Sequence, residues 1–217
     1  MTVSNGSRFN EQAVAARAAG KTLAAADTDQ KNDFLAALAG ALEARNDEIV
    51  AANLLDVSAA GSNGLGDHIV DRLRLDAEGI KKIVSDVRHV ASLDDPVREQ
   101  IEEYTRPNGL DIERVRAPLG LIGVIYESRP NVTIDIAALC LKAGNTVILR
   151  GGREAIHSNK VLAGIARDAL ESSGLPADAI QFIDSTDRAI VDEMLKARGL
   201  IDLLIPRGGE ALINRVR

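Results

Sequence analysis

The sequence has few aromatic residues, no tryptophan and a single cysteine. Phe and Tyr make up 2% of the 217 residues, so an aromatic surface for stacking single-stranded nucleic acid is not expected. One cysteine excludes an internal disulfide and a cysteine-based zinc framework, and it suits a reducing cytosol. The net charge is -6, from 26 basic and 32 acidic residues. Such a chain has no general attraction for nucleic acid or an anionic membrane, and neither is predicted as a partner.

Long hydrophobic runs and metal-ligand patterns are also missing. Arg17 and Lys21 interrupt the Ala-rich N-terminal stretch, and no window reaches the length of a membrane span. Neither His68 nor His89 has a Cys or a second His at ligand spacing, so no metal site is predicted. What is present is a 46% hydrophobic chain, enough for a core of Ala, Leu, Ile and Val. We therefore expect a soluble cytoplasmic protein.

The first part of the chain, residues 1–97, is predicted to be helical. The runs FLAALAGALEARNDEIV and DAEGIKKIVSDVRHVASL place large apolar residues at helical spacing, and the turn-rich segment AAGSNGLGDH separates them. Pro96 is expected to end this region, since a helix cannot pass through it without a kink. Residues 98–118 then predict a β-hairpin around Asn108-Gly109, either an oligomerisation arm or a solvated hairpin without such a role.

From Leu119 onward, apolar runs alternate with helix-like stretches. The runs are LGLIGVIY, TVILR, IQFID and LIDLLIP. Continuous apolar strands are expected where both faces of a parallel sheet are covered. Residues 119–217 therefore predict an open α/β sheet, in which ligands bind beyond the carboxyl ends of the strands.

Arginine-bearing polar clusters follow three of these predicted strands. They are ESRPN (Glu127, Ser128, Arg129, Asn131), RGGREA (Arg150, Gly151, Gly152, Arg153) and RGGEA (Arg207, Gly208, Gly209). Glycines let a ligand approach the backbone, and guanidinium groups bind phosphate oxygens. Together the clusters indicate a nucleotide or another polyphosphate, although neither GxGxxG nor GxxxxGK[ST] is present. His157, after the second cluster, either contacts a phosphate or is a solvent-facing or capping residue.

The run PLGLIGVIYESRPNVTIDIAALCLKAGNTVILRGGREAIHSN resembles the gamma-glutamyl phosphate reductase family of the aldehyde dehydrogenase superfamily. DRLRLD, SLDDP, RPNGL and LIDLLIPRGGEALI are similar to that family as well. The resemblance implies a Rossmann-like, mostly parallel sheet of the aldehyde dehydrogenase type. It also implies NADPH-dependent reduction of glutamyl 5-phosphate to glutamate 5-semialdehyde in proline biosynthesis, through a cysteine thioester, and a homo-oligomer.

The resemblance also implies roles for individual residues. Arg150 and Arg153 stand where the wider superfamily has a Lys and a Glu at the adenosine ribose, which agrees with NADP(H) because Arg attracts a 2′-phosphate. The oxyanion region falls on Ser128 or Asn131, and Arg129 with Asn131 is expected to bind the substrate. The expected cofactor contacts are Arg150, Gly151, Gly152, Arg153, Gly208 and Gly209.

Cys140 is predicted to be an inert packing residue and not the nucleophile. It lies beside an apolar helical stripe, and burial raises the pKa of a thiol and lowers its reactivity. In the family the nucleophilic cysteine lies in a second domain, beyond Arg217. We therefore expect this chain to match the N-terminal half, with an incomplete cofactor domain and no catalytic residue. The alternatives are a non-catalytic nucleotide-binding module and an inactive fragment.

Overall fold

The computed structural model describes residues 5–216. The predicted ranges 1–97 and 119–217 therefore extend at their outer ends to residues 1–4 and 217, which lie outside the described residues. Five helices come first: α1 (Asn5–Ala25), α2 (Thr28–Ala44), α3 (Asn46–Ser62), α4 (Asp67–Leu73) and α5 (Ala77–Ser92). The run FLAALAGALEARNDEIV is not one continuous helix but is divided at Arg45, which has φ -104° and ψ 23°. Asp47 and Glu48 favour a new helix start there, since acidic side chains stabilise a helix N-terminus.

The predicted hairpin follows the helices. Strand β1 (Gln100–Thr105) pairs antiparallel with β2 (Asp111–Val115). The turn between them closes through a hydrogen bond from the Gly109 amide to the Arg106 carbonyl (2.9 Å), and Gly109 has φ 84°, a conformation that glycine adopts without strain. Every residue of β1 is exposed, so the hairpin packs neither of its faces into the core.

The remainder of the described chain forms a four-stranded parallel sheet with connecting helices, as predicted. Its elements are β3 (Leu121–Tyr126), α6 (Asn131–Lys142), β4 (Thr146–Arg150), α7 (Ile156–Ser172), β5 (Ile180–Phe182), α8 (Ala189–Lys196), β6 (Leu203–Arg207) and α9 (Glu210–Val216). The strand order is β5-β4-β3-β6. Because the chain moves outward from β3 through β4 to β5 and then returns to the other side of β3, the sheet has a switch point between β3 and β6.

Both faces of β3 and β4 are covered, which explains their uninterrupted apolar sequences. On one face, Leu121, Ile125 and Ile148 lie in a core cluster with residues of α1 and α8. On the other face, Val124 and Leu149 lie in a larger cluster with residues of α6, α7, α2 and α5. The helical first part therefore packs on both sides of the sheet and builds one continuous structure with it.

Strand β6 departs from the expectation that all four strands are covered on both faces. Leu203 and Ile205 are 40% and 37% exposed, whereas Leu204 packs towards α1 and α8. Within the described residues β6 pairs with β3 alone, so it lies at the edge of the sheet that the structure describes, a position that tolerates Pro206. Strand β6 begins at Leu203 and not at the first residue of the run LIDLLIP. The residue before it, Asp202, accepts a hydrogen bond from the Leu121 amide through its side chain (2.8 Å).

Candidate functional site

The polar clusters predicted at the strand ends lie on the same edge of the sheet. Tyr126 and Arg207, the last residues of β3 and β6, are partners in the parallel register, and β4 lies on the other side of β3. Two neighbouring cavities open at this edge and share Glu127 and Ser128 in their linings. We call them the β4 cavity and the switch-point cavity.

The β4 cavity has a volume of about 460 Å³. Three arginines line it: Arg150 at the end of β4, where it is 8% exposed, and the exposed Arg153 and Arg188. Its apolar lining residues are Leu65, Ile69, Ile125, Val191 and Leu212. Three guanidinium groups and an apolar lining in one cavity suit a ligand that carries a flat ring at one end and a phosphate group at the other. The strand-end pattern did not identify Arg188, because it lies six residues beyond β5.

Gly151 and Gly152, at the carboxyl end of β4, lie close to other side chains of the protein. A Cβ atom on Gly151 would collide with the Asn159 amide nitrogen, and a Cβ on Gly152 would collide with the Glu154 carboxylate. Asn159 belongs to a buried chain of hydrogen bonds, in which the Thr133 hydroxyl donates to Asn159 Oδ1 (3.0 Å) and lies 2.7 Å from the Tyr126 hydroxyl. Packing against Asn159 thus favours glycine at position 151, while cofactor binding by the two glycines stays a prediction.

Ser128 has its donors directed at a carboxylate. Its backbone amide and its hydroxyl donate to Glu154 Oε1 at 2.7 and 2.9 Å, and its φ of 50° places it in the left-handed region, which is uncommon for serine. Glu154 therefore occupies the position at which an oxyanion would meet Ser128. The sequence offered Ser128 as an oxyanion residue but gave no reason to expect Glu154 there.

The switch-point cavity has a volume of about 280 Å³. Arg72 of α4, Arg129 after β3 and Arg207 at the end of β6 line it together with the Gly208–Gly209 turn. Glu127 Oε2 accepts a hydrogen bond from the Gly209 amide at 3.0 Å. The structure thus brings Arg129 together with Gly208 and Gly209, the predicted cofactor contacts, and adds Arg72, which was not among the predicted site residues.

Asn131, the other predicted oxyanion and substrate residue, begins α6 and lies outside both cavity linings. Its amide donates to Asp135 Oδ2 at 2.8 Å. Burial raises the pKa of Asp135, and the hydrogen bond from Asn131 offsets part of that rise. The amide of Asn131 is therefore held along the helix by a carboxyl group.

The N-terminus of α7, where His157 was considered as a phosphate contact, is capped from within the protein. Asp56 of α3, which is 2% exposed, accepts hydrogen bonds from the backbone amides of His157 (3.1 Å) and Ser158 (2.8 Å). The His157 ring nitrogen Nδ1 lies 2.8 Å from the same carboxylate. A carboxylate therefore fills the anion position that a helix N-terminus offers.

Cys140 lies in the core and far from both cavities along α6. It is 7% exposed, and burial raises the pKa of its thiol to about 12. Asn131 marks the end of α6 near the switch point, and nine residues at 1.5 Å each place Cys140 about 14 Å further along the axis. Such a thiol is protonated at neutral pH and is remote from the candidate site.

Residues 5–216 contain neither a metal-binding cluster nor a membrane-spanning helix. No group of three or more His, Cys, Asp or Glu side chains is arranged to hold a metal ion. None of the helices combines the length and the hydropathy needed to cross a bilayer.

Fold and site together define a class: an α/β protein with cavities at the carboxyl edge of a parallel sheet, at and beside its switch point. The sequence matches the model of the aldehyde dehydrogenase family over residues 2–212, and the chain belongs to that family. The resemblance inferred from the run PLG to HSN is confirmed at this level.

Curated relatives and solved structures point to one branch of the family. The chain is 56% identical over 204 residues to a gamma-glutamyl phosphate reductase of Brucella anthropi, covering 93% of this chain and 48% of the relative. It is 53% identical over 203 residues to that of Bartonella tribocorum, covering 93% and 50%. The chain thus spans about half the length of the curated relatives it matches.

Among solved structures, the chain superposes on gamma-glutamyl phosphate reductase of Thermotoga maritima with a TM-score of 0.94 at 43% identity, covering 95% of this chain and 50% of that one. For the Saccharomyces cerevisiae protein of that name the TM-score is 0.89 at 31% identity, with 99% and 54% covered. A probable aldehyde dehydrogenase of Listeria monocytogenes, at 18% identity, has a TM-score of 0.75 over 99% of this chain and 45% of that one, which shows the shared fold.

Proposed function

We propose that this chain supplies the cofactor-binding part of a cytoplasmic glutamate-5-semialdehyde dehydrogenase in proline biosynthesis. That enzyme reduces L-glutamyl 5-phosphate with NADPH to L-glutamate 5-semialdehyde and phosphate. The proposal is supported by the names of relatives that are more than half identical to the chain. The observation that carries it is the convergence of Arg150, Arg153 and Arg188 on one cavity.

The preference for NADPH over NADH follows from the charge of the β4 cavity. Three guanidinium groups face two carboxylates, Glu127 and Glu154, which leaves a formal surplus of one positive charge. A 2′-phosphate is the group that NADPH has and NADH lacks, and arginine binds such a group through paired hydrogen bonds. The leucine and isoleucine side chains in the lining give the adenine ring an apolar surface.

The remaining predicted residues keep their roles as proposals. Gly208 and Gly209 contact the cofactor pyrophosphate once Glu127 releases the Gly209 amide. Arg129 and Asn131 bind the substrate. The oxyanion is stabilised by Asn131, or by Ser128 once Glu154 releases its two donors. The bound cofactor supplies a hydride. We assign the nucleophile to no residue of this chain, because Cys140 is buried and protonated.

A titration of the chain with NADPH and NADH tests the cofactor proposal. The nucleotide fluorescence is read directly, since the chain has no Trp. NADPH should bind more tightly than NADH, and Arg153→Gln should remove about 1–2 kcal/mol of that difference, the value of a charge-assisted hydrogen bond. Arg116→Gln is the control, since Arg116 forms an exposed ion pair with Glu99 on the hairpin. Equal binding of the two nucleotides would contradict the proposal.

A non-catalytic nucleotide-binding module is the second candidate, and the burial of the single cysteine favours it for the chain alone. NADP-dependent oxidation of glutamate semialdehyde with phosphate separates the two functions. We expect no turnover by this chain. Turnover that Cys140→Ser abolishes would overturn the assignment of Cys140 as a packing residue.

For the hairpin we propose a role as an oligomerisation arm. An isolated two-stranded hairpin is marginally stable in water, and β1 is exposed along its whole length. Light scattering of the chain with and without residues 98–118 tests this. An unchanged number of chains per particle would favour the solvated hairpin.

A further inference from the structure

The switch-point cavity collects three arginines that are distant in the sequence. Arg72 comes from α4, Arg129 from the turn between β3 and α6, and Arg207 from the end of β6. All three side chains are exposed. In the part of the chain that the structure describes, none of them has a carboxylate within ion-pair distance. Arg207 has a longer-range attraction to Asp135.

The net charge of the switch-point cavity favours the binding of an anion. Glu127 is the one carboxylate in its lining, so three guanidinium groups leave a formal surplus of two positive charges. Like charges around one cavity repel each other, and an anion bound among them converts that repulsion into attraction. Guanidinium groups are also the side chains whose geometry matches phosphate oxygens best.

The Gly208–Gly209 turn limits how an anion binds here. Glu127 accepts the hydrogen bond of the Gly209 amide, and a Cβ on Gly208 would collide with Glu127. While Glu127 stays in place, the Gly209 amide is not free for a ligand and the arginine side chains supply the donors. A terminal phosphate carries two charges and three free oxygens, which matches three guanidinium groups and a surplus of two.

We propose that Arg72, Arg129 and Arg207 bind the terminal, doubly charged phosphate of the substrate, and hold it as inorganic phosphate when it leaves. The identity of the substrate in this proposal rests on the proposed function, whereas the binding of phosphate by the three arginines is independent of it. A cavity of about 280 Å³ has room for roughly nine water molecules at ~30 Å³ each, which is enough for a phosphate with a short carbon chain. Because the two cavities share Glu127 and Ser128, this phosphate lies beside the cofactor and both are bound together.

Titration of the chain with inorganic phosphate by calorimetry tests the proposal, with chloride at equal ionic strength as the blank. Phosphate should bind the unaltered chain, and Arg72→Gln and Arg207→Gln should each weaken binding about tenfold, the value of a charge-assisted hydrogen bond. The double variant should show no measurable binding. Arg74→Gln is the matched control, because Arg74 is exposed two residues from Arg72 and lies outside the cavity; it should leave the affinity unchanged. Equal affinity in the unaltered and double-variant chains would overturn the proposal.

A second titration, in saturating NADPH, separates the two possible sources of phosphate. The proposed function places the cofactor pyrophosphate against the backbone of the Gly208–Gly209 turn and leaves the three guanidinium groups to the substrate phosphate. The affinity for inorganic phosphate should therefore be unchanged when NADPH is bound. Competitive displacement by NADPH would overturn the proposal and assign the arginines to the cofactor pyrophosphate. A chain that binds phosphate but not NADPH would contradict the cofactor proposal and leave the arginine site standing.

Discussion

Asp56 and Ser158 are joined by two hydrogen bonds across 102 residues of sequence. The Ser158 backbone amide donates to Asp56 Oδ2 at 2.8 Å, and the Ser158 hydroxyl donates to the same oxygen at 2.6 Å. The Asn53 amide in turn donates to the Ser158 hydroxyl at 3.1 Å. This buried network fixes α3 on the first turn of α7, and through α7 it fixes the mouth of β4, where the candidate cofactor residues lie.

We therefore expect Asp56→Ala to destabilise the fold strongly. The change leaves the first amides of α7 without an acceptor in a buried setting, which should lower the free energy of unfolding by about 2–4 kcal/mol. Urea unfolding followed by circular dichroism measures this. Asp33→Ala, at an exposed position of α2, is the control and should change stability by less than about 0.5 kcal/mol. Similar losses in the two variants would show that the cap contributes little.

Gly151 and Gly164 provide a pair of alanine substitutions with opposite expected signs. A Cβ on Gly151 would collide with Asn159, whereas a Cβ on Gly164 meets nothing within 4 Å. Gly151→Ala should cost about 1–3 kcal/mol through overpacking. Gly164→Ala, within α7, should stabilise by about 0.5–1 kcal/mol because alanine loses less backbone entropy in a helix. Thermal unfolding of the two variants measures both changes in the free energy of unfolding. A stabilising effect of Gly151→Ala would mean that the Asn159 side chain moves aside at little cost.

The strands and their shared edge could be predicted because the information is local. Uninterrupted apolar runs such as LIGVIY report burial on both faces, and the polar residues that follow each run must lie at the carboxyl edge of a parallel sheet. For β6 the run of apolar residues did not show its place in the sheet, because apolarity does not tell an edge strand from a central one. Leu203 and Ile205 are as apolar as the buried residues of β3 but remain partly exposed.

The acceptors and cations that complete the site could not be predicted, because tertiary contacts bring them in. Glu154 meets Ser128 across 26 residues. Arg72 reaches the switch-point cavity from the short helix α4, where the run DRLRLD supports the family resemblance but indicates no site. Gly151 was predicted as a cofactor contact, and nothing in the sequence indicated that it also makes room for the Asn159 side chain. A sequence pattern identifies the edge where chemistry takes place, whereas the charge balance there depends on residues from elsewhere.

The buried pair Lys31–Asp95 should make stability depend on acid pH. The two side chains are 1% and 10% exposed and lie 2.8 Å apart. Burial alone would raise the pKa of Asp95, but hydrogen bonds from Lys31, the Val97 amide and Thr28 outweigh it and hold that pKa below its usual range. Because the folded pKa lies below the unfolded value, this stabilisation is complete above about pH 4 and is lost as pH falls through the folded pKa.

Asp95→Asn tests the pair, since it leaves the Lys31 ammonium buried without its carboxylate. At pH 7 the loss should be about 3–5 kcal/mol, and the gap between the unaltered chain and the variant should narrow as pH falls below about 4. Urea unfolding between pH 3 and pH 7 gives both profiles. Asp94→Asn, at the exposed neighbouring position, should keep the profile of the unaltered chain. If the stability of Asp95→Asn changes with pH in parallel with that of the unaltered chain, the acid dependence does not come from the Lys31–Asp95 pair.

Glu154 lies in the β4 cavity and accepts both donors of Ser128, so its charge opposes any phosphate that enters. At an effective dielectric constant of about 20, two unit charges ~10 Å apart repel by about 1.7 kcal/mol, which salt reduces to about 1 kcal/mol. Glu154→Gln retains an oxygen that accepts from Ser128 and removes the charge. It should therefore tighten NADPH binding about fivefold, and the gain should shrink as salt is raised. Glu171→Gln, at an exposed position near the end of α7, is the matched control. Fluorescence titration with NADPH at two salt concentrations measures both effects. Weaker NADPH binding by Glu154→Gln would contradict the prediction. It would mean that the Glu154 carboxylate orients Ser128 for the ligand and does not repel the phosphate.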